Sequence, residues 1–227
     1  MNAFMVAHDV GPSKALERVL AANQLSAVPF LGHGQPQILS TDDITKWARN
    51  MSRLGVVIAG MSSSPELAQD ELAACEVAVR NGISLALFAD TFGAWGRPWF
   101  EPYREAVSAL FVVSPAEAKE ARKLFPNGKI VASGNPTWED FFYPKYRRDE
   151  VRFRLELGDL DSMILVPGSK SLAVNMLLFG GVIDAAIMLG EAFGQVFISL
   201  HPGDKNPPEL YKELAEYSPI PVKFVPA

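Results

Sequence analysis

A short run of small and basic residues, Gly168-Ser169-Lys170-Ser171, lies between an apolar stretch and a long helical pattern. Backbone N–H groups at the start of a helix attract anions, and a lysine beside them adds positive charge. These four residues are therefore candidates for binding a diphosphate. The Gly-x4-Gly-Lys-[Ser/Thr] spacing of a Walker loop is absent from this run, and an ordinary capped turn is the alternative interpretation.

Polar residues also follow the first apolar run, 3–8. His8, Gly11 and Ser13 lie at this point, where a doubly wound sheet binds its ligands, so they are candidates for contacting a phosphate. His8 could donate to the phosphate or act as a base, or it could be a structural histidine. His33, after the next run, lies in a Gly-His-Gly loop that either closes on a substrate or simply forms a turn.

Asp90 follows a further apolar run, 83–89. A carboxylate there is a candidate general base for an acceptor hydroxyl, with a turn aspartate as the alternative. Aromatic residues come just after it and either line an acceptor groove or pack a domain seam: Trp95, Trp99, Phe100 and Tyr103.

Several chemistries are disfavoured by missing motifs. The sequence has no paired-cysteine or His-x-x-x-His spacing, so no tightly bound metal is expected. It has no Gly-x-Ser-x-Gly motif, which argues against a serine hydrolase. The first βα turn lacks Gly-x-Gly-x-x-Gly, which argues against a nicotinamide-dependent oxidoreductase.

The elements that position these residues alternate between strands and helices. Helical patterns, including 42–54, 66–81 and 171–193, separate short apolar runs at 3–8, 26–32, 55–60, 83–89, 108–113, 129–133, 162–169, 195–202 and 222–225. Continuous apolar runs between amphipathic helices indicate parallel sheets covered on both faces. The predicted fold class is therefore α/β, with Rossmann-like doubly wound sheets.

The Gly-Asn-Pro segment 134–136 stops the sixth apolar run, and the strand–helix pattern begins again after a polar and aromatic stretch. This predicts an N-terminal Rossmann-like domain at 1–140, a linker at 141–161 and a partial nucleotide-binding-type domain at 162–227. The second domain is short, and we expect it to be truncated.

Composition limits the remaining possibilities. The 227 residues are 48% hydrophobic with a net charge of −5, which fits a globular protein and argues against broad nucleic-acid binding. A single cysteine, Cys75, and a start without a signal-peptide pattern predict a cytoplasmic protein. Residues 171–190 are long enough to span a bilayer, but Asp184 and Asn175 within them favour a buried core helix. Peripheral membrane association stays open.

Three stretches resemble the two-domain nucleotide-sugar enzymes of the GT-B fold. KIVASGNP (129–136) resembles the segment that closes their first domain, and LVPGSKS (165–171) resembles the Pro-Gly-Ser-[Arg/Lys] loop that opens their second. FADTFGAWGRPWF (88–100) followed by ALFVVSPAEA (109–118) resembles their aromatic Ala-Trp segment and the next strand. The likeness is greatest to lipid-A-disaccharide synthases and more distant to non-hydrolysing UDP-N-acetylglucosamine 2-epimerases.

The resemblance implies a glycosyltransferase-like protein whose substrate is a UDP sugar and which needs no separate cofactor. The sugar nucleotide would bind in the interdomain cleft, with its diphosphate on 168–171 and His201 near the donor. Inverting transfer then needs a base on the acceptor and stabilisation of the leaving diphosphate. The acceptor is not specified and could be lipid-linked.

Three departures from the family pattern keep alternatives open. Ala173 stands where the synthases have a glutamate, the loop 60–64 has no acid, and the βα units that would follow the His201-Pro202 strand are missing from this sequence. The alternatives are a non-catalytic or split-subunit binding module, completed as a homo- or hetero-oligomer, and a 2-epimerase relative. An epimerase would need acids and bases around C2 of the sugar.

Overall fold

The computed structural model describes residues 2–24, 29–35, 54–139, 143, 146–189, 195–216 and 218–225. The chain divides into two compact units, Met1–Pro144 and Lys145–Ala227. The predicted helix at 42–54 lies outside the described residues except for its last position.

Within the described residues, the first unit contains a six-stranded parallel sheet. Its strands are β1 (Asn2–Val6), β2 (Phe30–Leu31), β3 (Leu54–Gly60), β4 (Ser84–Phe88), β5 (Val107–Val112) and β6 (Lys129–Ala132). They lie in the order β2-β1-β3-β4-β5-β6, so the direction of winding reverses at β1. Such a reversal opens a crevice beyond the carboxyl ends of the strands, which is where ligands bind in this class of sheet.

Helices cover both faces of this sheet, as a parallel sheet requires. They are α1 (Val10–Ala22), α2 (Gln69–Arg80) and α3 (Pro115–Ala121). Met5 and Phe88 lie in one apolar cluster with Leu16 of α1. Leu87, the neighbour of Phe88, lies in a separate cluster with Cys75 of α2. Neighbouring strand residues thus point to opposite covered faces, which confirms the doubly wound α/β prediction.

The second unit is smaller. It contains α4 (Arg148–Arg154), and its described strands β7 (Met163–Pro167), β8 (Gln195–Ser199) and β9 (Val222–Val225) form a parallel sheet in that order. Helices α5 (Leu172–Leu189) and α6 (Glu209–Glu216) both pack on one face, where Phe179 and Tyr211 meet Val166 and Ile198. Strand order that advances in one direction puts right-handed crossovers on the same face.

Two element boundaries differ from the sequence prediction. Helix α2 begins at Gln69 rather than at Glu66, because the Ser64 hydroxyl accepts the N–H of Leu67 (3.3 Å) and closes a separate turn first. Residues 148–154, in the segment interpreted as a linker, form α4, whose Glu150 accepts the backbone N–H of Arg147 (3.2 Å).

The prediction that residues 171–190 form a buried core helix is wrong. Helix α5 turns Asn175, Phe179, Ile183 and Ala186 inward. Leu177 and Met188 are 79% and 88% exposed on its other side. By length and composition α5 could cross a membrane, with a mean hydropathy of 2.0, and only 22% of it is buried. Hydropathy reports what the helix is made of, whereas burial depends on how many elements pack around it.

The contrast between the two sides of α5 can be tested with a matched pair of substitutions. Ile183 is 6% exposed and Ile187 is 41% exposed, one turn apart. We expect Ile183→Ala to destabilise the second unit by about 2–4 kcal/mol, and Ile187→Ala by about 1 kcal/mol or less. All four tryptophans lie in the first unit, so hydrogen exchange of peptides from 163–199 is the suitable measurement. Equal costs would show that both sides are covered in solution.

Candidate functional site

The carboxyl ends of β1, β3 and β4 bring together a set of polar side chains, here called the sheet-edge cluster. It consists of His8, Asp9, Ser62, Asp70, Glu71, Asp90 and Arg97. The cluster lies at the point where the sheet reverses its winding. Two of its members, His8 and Asp90, were predicted from the sequence as site residues.

His8 lies inside the protein at 4% exposure. Its Nε2 is hydrogen-bonded to the Asp70 carboxylate, and its backbone N–H donates to Glu71 Oε1 (3.1 Å). In this arrangement the imidazole braces β1 against the start of α2. Its described contacts are with the protein's own carboxylates.

Glu71 provides the acid that the loop 60–64 lacks in the sequence. The Ser62 hydroxyl donates to Glu71 Oε1 and accepts the backbone N–H of Asp9 (3.0 Å). Glu71 is fully buried, and its Oε2 has no hydrogen-bond partner among the described residues. Burial raises the pKa of Glu71, and the hydrogen bonds from Ser62 and His8 offset this only in part.

Asp9 caps α1 in the same cluster. Its Oδ1 accepts the N–H of Val10 (2.9 Å) and its Oδ2 accepts the N–H of Ser63 (3.1 Å). Burial opposes ionisation of Asp9, but these hydrogen bonds outweigh it and lower the pKa. The N-terminus of α1 therefore already carries a carboxylate.

Asp90 follows β4 and is 4% exposed. Burial raises its pKa to about 6, against the opposing effect of the Arg97 charge. Its Oδ2 lies so close to Gly11 that a Cβ at Gly11 would come within 2.2 Å of it. Asn135, from the Gly-Asn-Pro segment, donates to the backbone carbonyl of Asp90 (2.8 Å). Gly11 and Asn135 thus fix where this carboxyl group lies.

Arg97 is the counter-charge that the sequence analysis missed. Burial lowers the pKa of Arg97, while the nearby carboxylates of Asp90, Asp9 and Glu71 act in the opposite direction. Its Nη1 is buried without a hydrogen-bond partner among the described residues. A single arginine between two aromatic residues belongs to no periodic pattern. Only its position after Asp90 in the sequence could have identified Arg97 as a site residue.

Gly11 and Ser13, predicted to bind a phosphate, have structural contacts. The Ser13 hydroxyl accepts the N–H of His33 (2.9 Å), and the Ser13 N–H donates to the carbonyl of Asp9 (3.1 Å). His33 also places its Nδ1 3.0 Å from the carbonyl oxygen of His8. His33 therefore joins the loop after β2 to the first turn of α1 through Ser13 and to the loop after β1 through the His8 carbonyl.

The aromatic residues after Asp90 pack into the first unit. Phe100 is fully buried in its core, and Trp95, Trp99 and Tyr103 pack against that core. The indole N–H of Trp95 donates to Glu117 (2.6 Å). These contacts lie within the core of the first unit, and both sequence-based interpretations, an acceptor groove and a domain seam, stay predictions.

In the second unit, the loop Gly168–Ser171 connects β7 to α5. Its conformation is set from within, because the N–H of Ser169 donates to Asn175 Oδ1 (2.6 Å) and the N–H of Ser171 to the Ser169 hydroxyl (3.1 Å). The Ser171 hydroxyl accepts the N–H of Val174 (3.5 Å). An anion would therefore meet Lys170 and the remaining first-turn N–H groups of α5, which have no intrahelical acceptors.

His201 lies beside this loop. A Cβ at Gly168 would come within 3.4 Å of the backbone nitrogen of His201. A Cβ at Gly203 would come within 3.1 Å of the Lys170 side chain and 3.3 Å of His201 Nδ1. The His201 Nδ1 accepts the N–H of Gly203 (2.9 Å). The proton of the neutral imidazole is then on Nε2, which is left as a donor. The structure thus brings Gly168, Lys170 and His201 together.

Asn175 holds these two loops in register. It is fully buried. Its Nδ2 donates to the carbonyl of Ser169 (2.9 Å) and to Asp204 Oδ2 (2.9 Å). The Tyr211 hydroxyl also donates to Asp204 (2.6 Å), and this bond is the main reason that the pKa of Asp204 is lowered. The sequence analysis used Asn175 only as an argument against a membrane span.

Among the described residues, no three His, Cys, Asp or Glu side chains lie where they could hold a metal ion. Hydrogen bonds join several members of the sheet-edge cluster, while Glu71 Oε2, Asp90 Oδ1 and Arg97 Nη1 are buried without a partner among the described residues. The chemistry of the cluster in this arrangement is that of proton transfer and hydrogen bonding.

The raised pKa of Asp90 makes a pH-dependent prediction. The usual value is 3.8 and the folded value about 6, so the folded protein binds an extra proton between them and loses stability as pH rises through 6. We expect Asp90→Asn to remove this loss, changing the free-energy difference between variant and wild type by about 1–3 kcal/mol from pH 4 to pH 7. Denaturant titration followed by tryptophan fluorescence measures it, with exposed Glu101→Gln as the control. A difference that does not change with pH would contradict the assignment.

The comparisons with known proteins bear on the fold. No protein-family model matches the sequence, and no curated protein matches it. A solved structure of a UDP-GlcNAc 2-epimerase from Neisseria meningitidis, bound to UDP-GlcNAc, is similar at a TM-score of 0.55 and 12% identity. The similarity covers 100% of this chain and 72% of that one. This chain therefore has a GT-B-like α/β fold, while the resemblance to lipid-A-disaccharide synthases stays a prediction.

Proposed function

We propose that this protein binds a UDP sugar through the loop Gly168–Ser171 and acts as a glycosyltransferase, with Asp90 as the base for the acceptor hydroxyl. The observation that carries the proposal is the grouping of Lys170 and His201 at the start of α5, between β7 and β8. An ammonium, an imidazole N–H donor and first-turn N–H groups together suit a diphosphate. The similar epimerase structure, which holds UDP-GlcNAc, supports this choice of ligand.

Asp90 suits the role of base because its carboxyl has a pKa of about 6, close to neutral pH. Its Oδ1 has no hydrogen-bond partner among the described residues. Buried acceptors are normally satisfied, so an acceptor hydroxyl would supply the missing donor. His8, which is paired with Asp70, has the supporting role of holding the cluster together.

A UDP-sugar 2-epimerase is the second candidate. The absence of an acid from the loop 60–64 argued in the sequence against both a transferase and an epimerase, but Glu71 contacts Ser62 of that loop. Glu71 and Asp90 both have raised pKa values and could act as acid and base. Incubation with UDP-GlcNAc in D2O separates the candidates, because an epimerase exchanges the C2 proton of the sugar and a transferase does not.

Calorimetric titration with UDP tests the nucleotide site. We expect Lys170→Ala to weaken UDP binding by about tenfold or more, since a charge-assisted contact to phosphate is lost. Lys212→Ala is the matched control, because Lys212 is an exposed lysine of the same unit whose ion pair with Glu209 spans 3.9 Å. Equal binding by both variants, or no binding by the folded wild type, would contradict the proposal.

We also propose that the second unit associates with a second copy of the chain through the outer side of α5. Apolar side chains that are 50% or more exposed lie along it: Val174, Leu177, Met188 and Leu189. A soluble protein seldom leaves an apolar surface of this extent in water.

Sedimentation velocity over a range of concentrations tests this association. We expect the wild type to self-associate and Leu177→Lys to shift the equilibrium towards monomer, because a charge at the interface opposes apolar contact. Leu160→Lys is the control, since Leu160 is 97% exposed in the same unit but lies off α5. A wild type that is monomeric at all concentrations would rule out the homo-oligomer and leave a different partner chain to be sought.

A further inference from the structure

Phe92 is exposed to solvent on a turn that hydrogen bonds hold in place. It lies two residues after Asp90 and is 68% exposed. The next residue, Gly93, adopts φ +73°, and its N–H donates to Glu117 Oε2 (2.6 Å). The same carboxylate oxygen accepts the indole N–H of Trp95 (2.6 Å). The turn is therefore fixed on its far side, and its exposed ring has a defined place.

A second aromatic ring is brought to Phe92 from another strand. Asn135, after β6, accepts the N–H (2.9 Å) and hydroxyl (2.8 Å) of Thr137 and so caps the turn Pro136–Trp138. The same side chain donates to the carbonyl of Asp90 (2.8 Å), which ties the two turns together. The ring of Trp138 then lies 5.9 Å from that of Phe92, centroid to centroid, at a tilt of 30°.

This pair spans the carboxyl end of the sheet. Strand β5 lies between β4 and β6, so the two turns meet beyond its end. Phe92 is exposed and Trp138 is half-buried, and the buried hydrogen bond from Asn135 to Asp90 joins the turns that carry them. An exposed ring that is held in place in this way is uncommon on a surface that binds nothing. Ligand sites characteristically combine aromatic side chains with a few well-placed polar groups. Here Asp90 and Asn135 are those polar groups.

The chemistry of the surroundings selects the ligand. The carboxyl groups of Asp9, Asp90 and Glu139 lie on the loops and turns at this end of the sheet. The nearby charge of Arg97 is opposed by the carboxylates of Asp90 and Asp9, so the surroundings disfavour a phosphate or a nucleic-acid strand. A pyranose ring has an apolar face of C–H groups and a rim of hydroxyls. The face can stack on an aromatic ring while the hydroxyls hydrogen-bond to polar groups beside it. Asp90, two residues before Phe92, has an Oδ1 that is buried without a partner among the described residues.

We propose that Phe92 and Trp138 form a stacking platform for the ring of a carbohydrate. The identification of this carbohydrate as the acceptor rests on the proposed function. The binding of its ring to the two aromatic side chains does not depend on that function. The acceptor would then be a glycoside whose attacking hydroxyl is directed towards Asp90.

Saturation-transfer NMR tests the platform, with the methyl β-glycosides of glucose and N-acetylglucosamine as probes. We expect transfer to be strongest at the axial C–H protons of one ring face. Phe92→Ala should weaken binding by about tenfold, since truncation of a central aromatic contact usually costs at least that much. Trp138→Phe, which keeps a ring, should retain most of the binding. Phe153→Ala is the matched control, because Phe153 is 85% exposed in the second unit.

Three results would overturn the proposal: no binding of either glycoside by the folded wild type, equal binding by Phe92→Ala and Phe153→Ala, or uridine binding that is lost in Phe92→Ala, which would make the rings a base-stacking site. The nucleotide site is tested separately through Lys170. If the protein binds a glycoside but not UDP, the proposed function is wrong and the platform stands. If it binds UDP but neither glycoside, the platform is wrong and the proposed function stands.

Discussion

Carboxyl groups that share the interior of a protein repel one another and lose their hydration, so each needs a proton, a hydrogen-bond donor or a counter-charge. The first unit gathers four of them at the reversal of its sheet. Asp70 is matched by His8, Glu71 by the Ser62 hydroxyl, and Asp9 by backbone N–H groups at the start of α1. The loops after β1 and β3 are held in place by these pairings, and the rest of the site is built on them.

Asp90 is the fourth carboxyl group, and its Oδ1 has no hydrogen-bond partner among the described residues. Arg97 provides a charge near it, but burial still raises its pKa to about 6. Such a group can gain or lose a proton near neutral pH, whereas the hydrogen bonds to Asp9 hold the pKa of that carboxyl group below its usual value. The difference in environment therefore separates roles among similar side chains. His8 is paired with Asp70 inside the protein, and the residue proposed as the base is an aspartate.

The sequence predicted the sheets well because continuous apolar runs are a direct consequence of burial on both faces. It also placed Asp90, Lys170 and His201 correctly after strands, since the carboxyl end of a parallel strand is identifiable from the run that precedes it. Glu71 was missed because its contact with Ser62 joins residues nine positions apart across a strand-to-helix turn. Helix α5 was misjudged because its composition says nothing about how many neighbours it has.

In each unit a buried asparagine holds in place a loop that carries candidate site residues. Asn135 is 8% exposed and joins the turn before Trp138 to the carbonyl of Asp90, while Asn175 is fully buried and joins the loop at Lys170 to Asp204. An amide side chain can donate and accept at once without carrying a charge, so it can be buried where a carboxylate or an ammonium would be costly. The groups proposed to contact a ligand are thereby fixed in advance. Binding of such a ligand would order few side chains, and selectivity would depend on whether the ligand matches positions that are already set.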